Sequence, residues 1–216
     1  MPRPSTQIAQ RQRLLNAAKT VAVREGATGT TLRAIAAEAE MEPSAALYYF
    51  PNLNALIRDL QSATASEFIS RLEAAMAKPH GSASAKLAAL IYTGVTGGLD
   101  DDLSIVLYEF WSMSIRDPEM KVVEDSLTEK QESLYLAVIE EGLATGEFRT
   151  IIPAQELAHL LLGIEDGLVM TILSRTVDAL DTVRQIALIA EAVLNCKLPT
   201  EDYLAGEFCP RSSAKI

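Results

Sequence analysis

Aromatic residues are scarce in this chain: they make up 6% of its 216 residues, with a single tryptophan. Strands favour aromatic and β-branched side chains. The shortage, set beside plentiful alanine and leucine, points to an all-α fold. Cysteine is rarer still. Cys196 and Cys209 are the only two, too few for a disulfide framework or a cysteine zinc site, and reduced thiols are expected. Histidine is limited to His80 and His159. E-L-A-H (156–159) has the spacing of one di-iron helix step, but such a site takes two steps and two further glutamates. His80 falls in a turn, and His159 reads as a pocket or interface histidine. No metal site, no nucleophile–base pair and no cofactor is expected, and the chain does not read as an enzyme.

Long uninterrupted apolar runs are also missing. The most apolar stretch, L-A-H-L-L-L-G-I-E-D-G-L-V-M-T-I-L (157–173), carries Glu165 and Asp166 at its middle. Two acids at a bilayer centre are costly, so a buried protein helix is expected there and no membrane partner. M-P-R-P-S-T-Q at the start lacks an apolar signal core, which suggests a bacterial-type cytoplasmic protein. Positive charge is in short supply, and the formal net charge is −10. The average hides an asymmetry. Residues 1–60 hold seven Lys/Arg against five Asp/Glu, a balance of +2, so the remainder carries −12. A mildly basic head can still meet a polyanion, because charges farther than about 8 Å are largely screened at physiological salt.

What is present is helical periodicity. Ile8, Leu14, Leu15, Ala18, Val21 and Ala22 recur on one stripe and predict a helix over 6–25, ended by Gly26. Thr30 or Thr31 caps a short second helix, L-R-A-I-A-A-E-A. Pro43 suits the first turn of a third, P-S-A-A-L-Y-Y-F, which Pro51 stops. Asn52 then caps a long helix over 53–77. K-P-H-G-S (78–82) is the clearest break. Further helices are expected at 84–98, 103–116, 118–145, 153–175 and 182–197, with no period-two alternation anywhere. D-D-D (100–102) reads as acids favoured by a helix N-terminus. The expected division is a head at 1–52, a helical body at 53–206 whose first helix, 53–77, links the two, and a flexible tail at 207–216.

E-A-E-M-E-P-S-A-A-L-Y-Y-F-P-N (38–52) puts two tyrosines and a phenylalanine on a helix of about two turns. Helices two and three, joined by some three residues, have the form of a helix-turn-helix. A helix that enters a DNA major groove needs small residues at its leading end and backbone-holding groups at its trailing end. Pro43, Ser44, Ala45 and Ala46 are small, Tyr48 and Tyr49 carry hydroxyls for phosphates, and Phe50 can pack back on the first helix. An ordinary helical hairpin with aromatic core residues would show the same spacing.

L-L-N-A-A (14–18), G-A-T-G-T-T-L-R-A-I-A-A-E-A (26–39), the turn, Y-Y-F-P-N (48–52) and A-L-I (55–57), in that order, resemble the DNA-binding domain of TetR-family transcriptional regulators. E-E-G-L-A-T-G-E-F-R (140–149) and G-I-E-D-G-L (163–168) resemble the ligand-binding half of its BetI-like branch. The resemblance implies that Thr31 meets a phosphate and Arg33 a phosphate or base edge. It places Ser44 and Ala45 at base-reading positions, Tyr48 against a thymine methyl or phosphate, and Tyr49 and Asn52 at phosphates. Arg3, Arg11 and Arg13 would track the flanking backbone. Three residues depart from the family pattern: Glu40 for a turn glycine, Leu47 for a frequent tyrosine, and Leu53 for a phosphate-binding lysine. With Glu42, they suggest weaker DNA binding with few phosphate contacts and a shallow salt dependence.

In the second half, Tyr108, Trp111 and Ile115 share a stripe with Glu109 one step round. An aromatic face and a carboxylate together suit a cation. A ligand pocket lined by Tyr92, Tyr108, Trp111 and Met170, anchored by Glu109 or Glu165, is one expectation; plain core aromatics with structural acids is the other. The stretches 153–175 and 182–197 keep little polar face, and helices apolar all round must be buried. A two-fold homodimer through a four-helix interface, with Gly163 and Gly167 admitting a partner helix, would bury them. The function expected is a regulator, a repressor released from operator DNA by a small-molecule effector of cationic character. The alternative is a helical adaptor or small-molecule carrier that binds no DNA.

Overall fold

A computed structural model of the chain describes residues 4–95, 101–174 and 176–204. Arg3, Asp100, Cys209 and the expected tail at 207–216 lie outside the described residues. Ten α-helices and no strand occur among those described.

Helix α1 (Pro4–Gly29) contains a break at Gly26, where φ is 69° and ψ −177°. A left-handed φ there is open to glycine at no steric cost. Thr30 returns both its backbone N–H and its hydroxyl to the Gly26 carbonyl and closes the end. Helix α2 (Leu32–Glu38) starts at Thr31, whose hydroxyl oxygen accepts from Ala34 N at 3.1 Å. Helix α3 (Pro43–Tyr49) begins with proline at its first turn. Between α2 and α3, Met41 N donates to the Ala36 carbonyl and Glu40 N to that of Ala37, and Glu40 sits at φ 50°. This is the left-handed helix-end geometry that normally takes glycine. Asn52 caps α4 (Leu53–Met76), its side-chain oxygen accepting from Ala55 N at 2.9 Å.

The remaining helices are α5 (Ala83–Val95), α6 (Asp102–Trp111), α7 (Pro118–Thr145), α8 (Ala154–Leu173), α9 (Ala179–Leu194) and α10 (Thr200–Leu204). Several boundaries differ from expectation. The single helix expected over 103–116 stops at Trp111, and Ser112–Ile115 form a 3-10 turn. Asp117 then accepts from Glu119 N and Met120 N to start α7. Helix α9 starts three residues early, because Asp178 accepts from Leu180 N. Helix α10 was not expected at all.

The described chain forms two compact units, residues 4–68 with 101–127, and residues 69–95 with 128–204. Thus 101–127, grouped by sequence with the second half, packs with the head. In the first unit Leu14, Val21, Ile35, Phe50, Leu56 and Phe110 meet in one buried cluster. Burying such side chains contributes roughly 1.5–3 kcal/mol each. In the second unit, Phe148 folds back on α7. Its N–H donates to the Gly142 carbonyl at 2.9 Å, and its ring covers the place a Gly142 side chain would take. Gly146, at φ 77°, turns the chain there. The stretch E-G-L-A-T-G-E-F is therefore a helix end packed on its own aromatic. Among the described residues no helix is long and apolar enough to cross a membrane.

Candidate nucleic-acid interface and ligand-binding residues

Helix α3 buries one residue, Ala46. Ser44 is exposed, Ala45 half-buried, and Tyr48 is 61% exposed. Tyr49 is half-buried against the core cluster and meets Tyr48 edge to face, with ring centroids 5.2 Å apart. Phe50 is buried and ends the helix. One side of α3 is thus committed to the core and the other presents small side chains and a phenol to solvent. Around it, Thr31 and Asn52 have complementary chemistry. Each uses an oxygen to accept from the backbone of its own helix. The Thr31 hydroxyl hydrogen and the Asn52 amide hydrogens stay available to an acceptor such as a phosphate. Arg33 is exposed and has no ion-pair partner among the described residues.

Four other arginines of residues 1–60 are engaged. Arg11 turns inward, donating to the Tyr49 carbonyl and to Asp59. Arg13 pairs with Glu40 at 2.8 Å. Arg24 bridges Glu25 and Glu38, and Arg58 reaches Asp117 and Glu119. The nominal +2 of this stretch is therefore a poor guide to its field: Arg11, Arg13 and Arg24 face its own carboxylates, and Arg58 faces Asp117 and Glu119. Arg11 in particular is not splayed toward the surface as the sequence suggests.

The six residues expected around a ligand divide between the units. In the first, the Tyr108 and Trp111 rings stand 6.5 Å apart in a T-shape, with Trp111 46% exposed. The Glu109 carboxylate accepts from Ala27 N at 2.7 Å and lies beside Gly26. Here it satisfies the N–H that the break in α1 leaves without a helical carbonyl. In the second unit, Tyr92 lies 6.1 Å from the Tyr203 ring, and Met170 is 44% exposed on α8. Glu165 is buried at 3% exposure and receives a hydrogen bond from the Tyr135 hydroxyl. Gly94 of α5 lies so close that a side chain there would collide with the Glu165 carboxyl. Burial pushes the Glu165 carboxyl up to about 8, with the Tyr135 bond pulling the other way and Asp166 adding to the rise. At neutral pH this group is chiefly the neutral acid, not a carboxylate.

Two buried polar side chains escaped the sequence reading. Tyr135 lies on α7, and only its distant pairing with Glu165 marks it. Gln61 of α4 donates to the Leu107 carbonyl at 3.1 Å, while its buried side-chain oxygen has no partner among the described residues. Neither has a local signal, since both pairings span distant parts of the chain. His159 is exposed, pairs with Glu132 at 2.6 Å, and is raised by that hydrogen bond. Among the described residues no group of three His, Cys, Asp or Glu is arranged to hold a metal.

On the outer face of α8 and α9, Gly163, Ile164, Gly167, Leu168, Gln185, Leu188 and Ile189 line an apolar groove. A side chain added at Gly163 or Gly167 would touch nothing within 4 Å. Leu188 is 66% exposed beside it.

Comparison with known proteins places these features. The profile of bacterial regulatory proteins of the tetR family matches residues 14–60, and that of the C-terminal domain of BetI-type transcriptional repressors matches residues 83–196. No curated protein sequence matches the chain. Among solved structures, a protein from Saccharomonospora viridis in complex with choline superposes with a TM-score of 0.77 at 22% identity, over 84% of this chain and 95% of that one. A TetR transcription regulator from Haloarcula marismortui gives 0.74 at 20% identity, over 87% and 97%. A transcriptional regulator from Rhodococcus sp. Rha1 gives 0.75 at 18%, over 86% and 96%. At such identities the superpositions establish the shared fold alone. With a tetR-family head on a BetI-type body, the chain belongs to the TetR family and is a ligand-responsive, DNA-binding transcriptional regulator.

Proposed function

We propose that the chain is a repressor that leaves its operator when a small cationic effector binds. Residues 1–52 are the reading head and 53–206 the sensing and dimerising body of a cytoplasmic homodimer. The observation that carries this reading is the half-exposed α3, with small residues leading and tyrosines trailing. Ser44 and Ala45 approach base edges, while Tyr48, Tyr49, Thr31, Asn52 and Arg33 hold sugar and phosphate. Two copies of α3 must meet major grooves about 34–36 Å apart. The apolar groove on α8 and α9 supports pairing through those helices, since an exposed apolar face beside two glycines favours a packed partner helix.

Helix α4 is the path by which an effector acts, because its residues run from the first unit into the second. The effector must bind the form with splayed heads better than the DNA-competent form, and DNA weakens effector binding by the same factor. A cation is favoured because Glu165 is an acid held neutral by burial, and a positive charge beside it restores the carboxylate. Tyr92, in the same unit as Glu165, supplies an aromatic face. Glu109 is better regarded as a structural acid, given its bond to Ala27. The choline held by the S. viridis protein is consistent with this class. The test is a titration of operator-bound protein with choline-like quaternary ammonium compounds and with neutral isosteres. Release of DNA by the cations alone supports the reading, and equal release by both classes refutes the cationic assignment.

A further inference from the structure

Seven residues long and with one buried side chain, α3 has little apolar surface to fix its angle. Its placement depends on what holds its C-terminal end. Arg11, from α1, donates through one nitrogen to the carbonyl of Tyr49, the last residue of α3. Through the other it donates to Asp59 on α4. Its guanidinium carbon lies 4.1 Å from the centroid of Phe50, the residue that ends α3. One planar side chain therefore joins three helices at the trailing end of the recognition helix.

Each contact has a physical reason. The last carbonyls of a helix lack partners and favour a cation, and arginine supplies both charge and a directed N–H. The face of Phe50 attracts the guanidinium. Asp59 keeps the fork turned to this side, and arginine's rigid fork is what permits both hydrogen bonds at once. With both terminal nitrogens so engaged, the group is poorly disposed to follow a DNA backbone.

We propose that Arg11, held by Asp59, is a positioning residue that sets the docking angle of α3, and that it acts on DNA only through that helix. The proposal rests on DNA binding by this head, which the wild-type protein reports separately in the same experiment.

The two roles differ in what they do to specificity and to salt dependence. A direct phosphate contact contributes equally to every sequence and about 0.9 to the salt slope. A positioning residue governs base-edge contacts and leaves the slope alone. Arg11→Gln, Asp59→Asn and the double variant are to be titrated, as folded proteins checked by thermal unfolding, against two duplexes. One is a duplex recovered by the wild-type protein from a random pool, and the other an unrelated duplex of equal length, each across a potassium chloride series. The expected result is a specific-to-nonspecific ratio lowered roughly five- to tenfold by Arg11→Gln, the scale of a lost helix-end contact, with the slope unchanged. Asp59→Asn, a milder change at a half-exposed residue, lowers the ratio in the same direction, and the double variant is no worse than Arg11→Gln alone. A slope reduced by about 0.9 with the ratio kept, or an Asp59→Asn protein with the wild-type ratio, overturns the proposal.

Discussion

Tyr135 of α7 donates its hydroxyl to the carboxyl of Glu165 of α8 inside the second unit, and the pair makes stability depend on pH. Burial holds the Glu165 carboxyl at about 8 in the folded protein, against an ordinary 4.5 in the open chain. Between those values the folded state keeps a proton that the unfolded state has released. Stability therefore falls as pH rises through that window, by at most about 1.4 kcal/mol per pH unit from this group. Glu165→Gln removes the contribution. Urea midpoints between about pH 5 and pH 8 should decline more gently in the variant than in the wild type. Parallel declines would show that Glu165 titrates normally.

Two glycines are fixed by close approach. Gly142 lies under the Phe148 ring and Gly94 against the Glu165 carboxyl. Neither neighbour can retreat easily, since Phe148 and Glu165 are both buried. Gly142→Ala and Gly94→Ala are each expected to cost about 1–3 kcal/mol, the range for overpacking a filled interior. Thermal unfolding of the two variants beside the wild type measures the cost, and a Gly142→Ala protein as stable as the wild type contradicts the packing.

Glu40 occupies a left-handed turn position, φ 50°, and pairs with Arg13. A glycine there relieves on the order of 1 kcal/mol of backbone strain. It also loses a surface pair worth about 0–1 kcal/mol and gains freedom in the unfolded chain. Folding stability should change little. DNA affinity should not stay put: Glu40→Gly removes an acid from the head and frees Arg13 toward solvent. Tighter binding to a nonspecific duplex, with a salt slope steeper by up to about 0.9, is expected in a fluorescence anisotropy series. Weaker binding would mean that the turn needs the ion pair to present α3.

What the sequence reveals is mostly what is local. Thr31, Asn52 and Pro118 mark helix starts because capping acts within three residues. The exposed side of α3 is legible for the same reason, from small residues and tyrosines within one short segment. Partnerships across the chain are not. Arg11 reads as a surface cation until Asp59 and the Tyr49 carbonyl are brought beside it. Glu109 reads as a pocket anchor until the break at Gly26 exposes Ala27 N to it. Helix α10 is only five residues long, too short for periodicity to register, and it is held by Tyr203 bonding to the Ala85 carbonyl and to His80. The packing of 101–127 with the head has no local signal.

Pairing through α8 and α9 can be separated from folding because its residues stand outside the subunit's own core. Leu188 is 66% exposed and borders the groove that contains Gly163 and Gly167. Replacing so exposed a leucine changes a lone subunit by no more than about 0.5 kcal/mol. In a two-fold interface the same side chain recurs on both partners, so Leu188→Asp buries two unpaired charges at once. Sedimentation velocity at micromolar concentration should show a dimer for the wild type and a monomer for the variant, with the helical circular dichroism retained and a thermal midpoint lowered by the lost association. A monomer also loses simultaneous occupation of adjacent grooves, so its affinity for a two-half-site duplex should fall to that for a single half-site. A Leu188→Asp protein that sediments as a dimer would move the interface away from this groove.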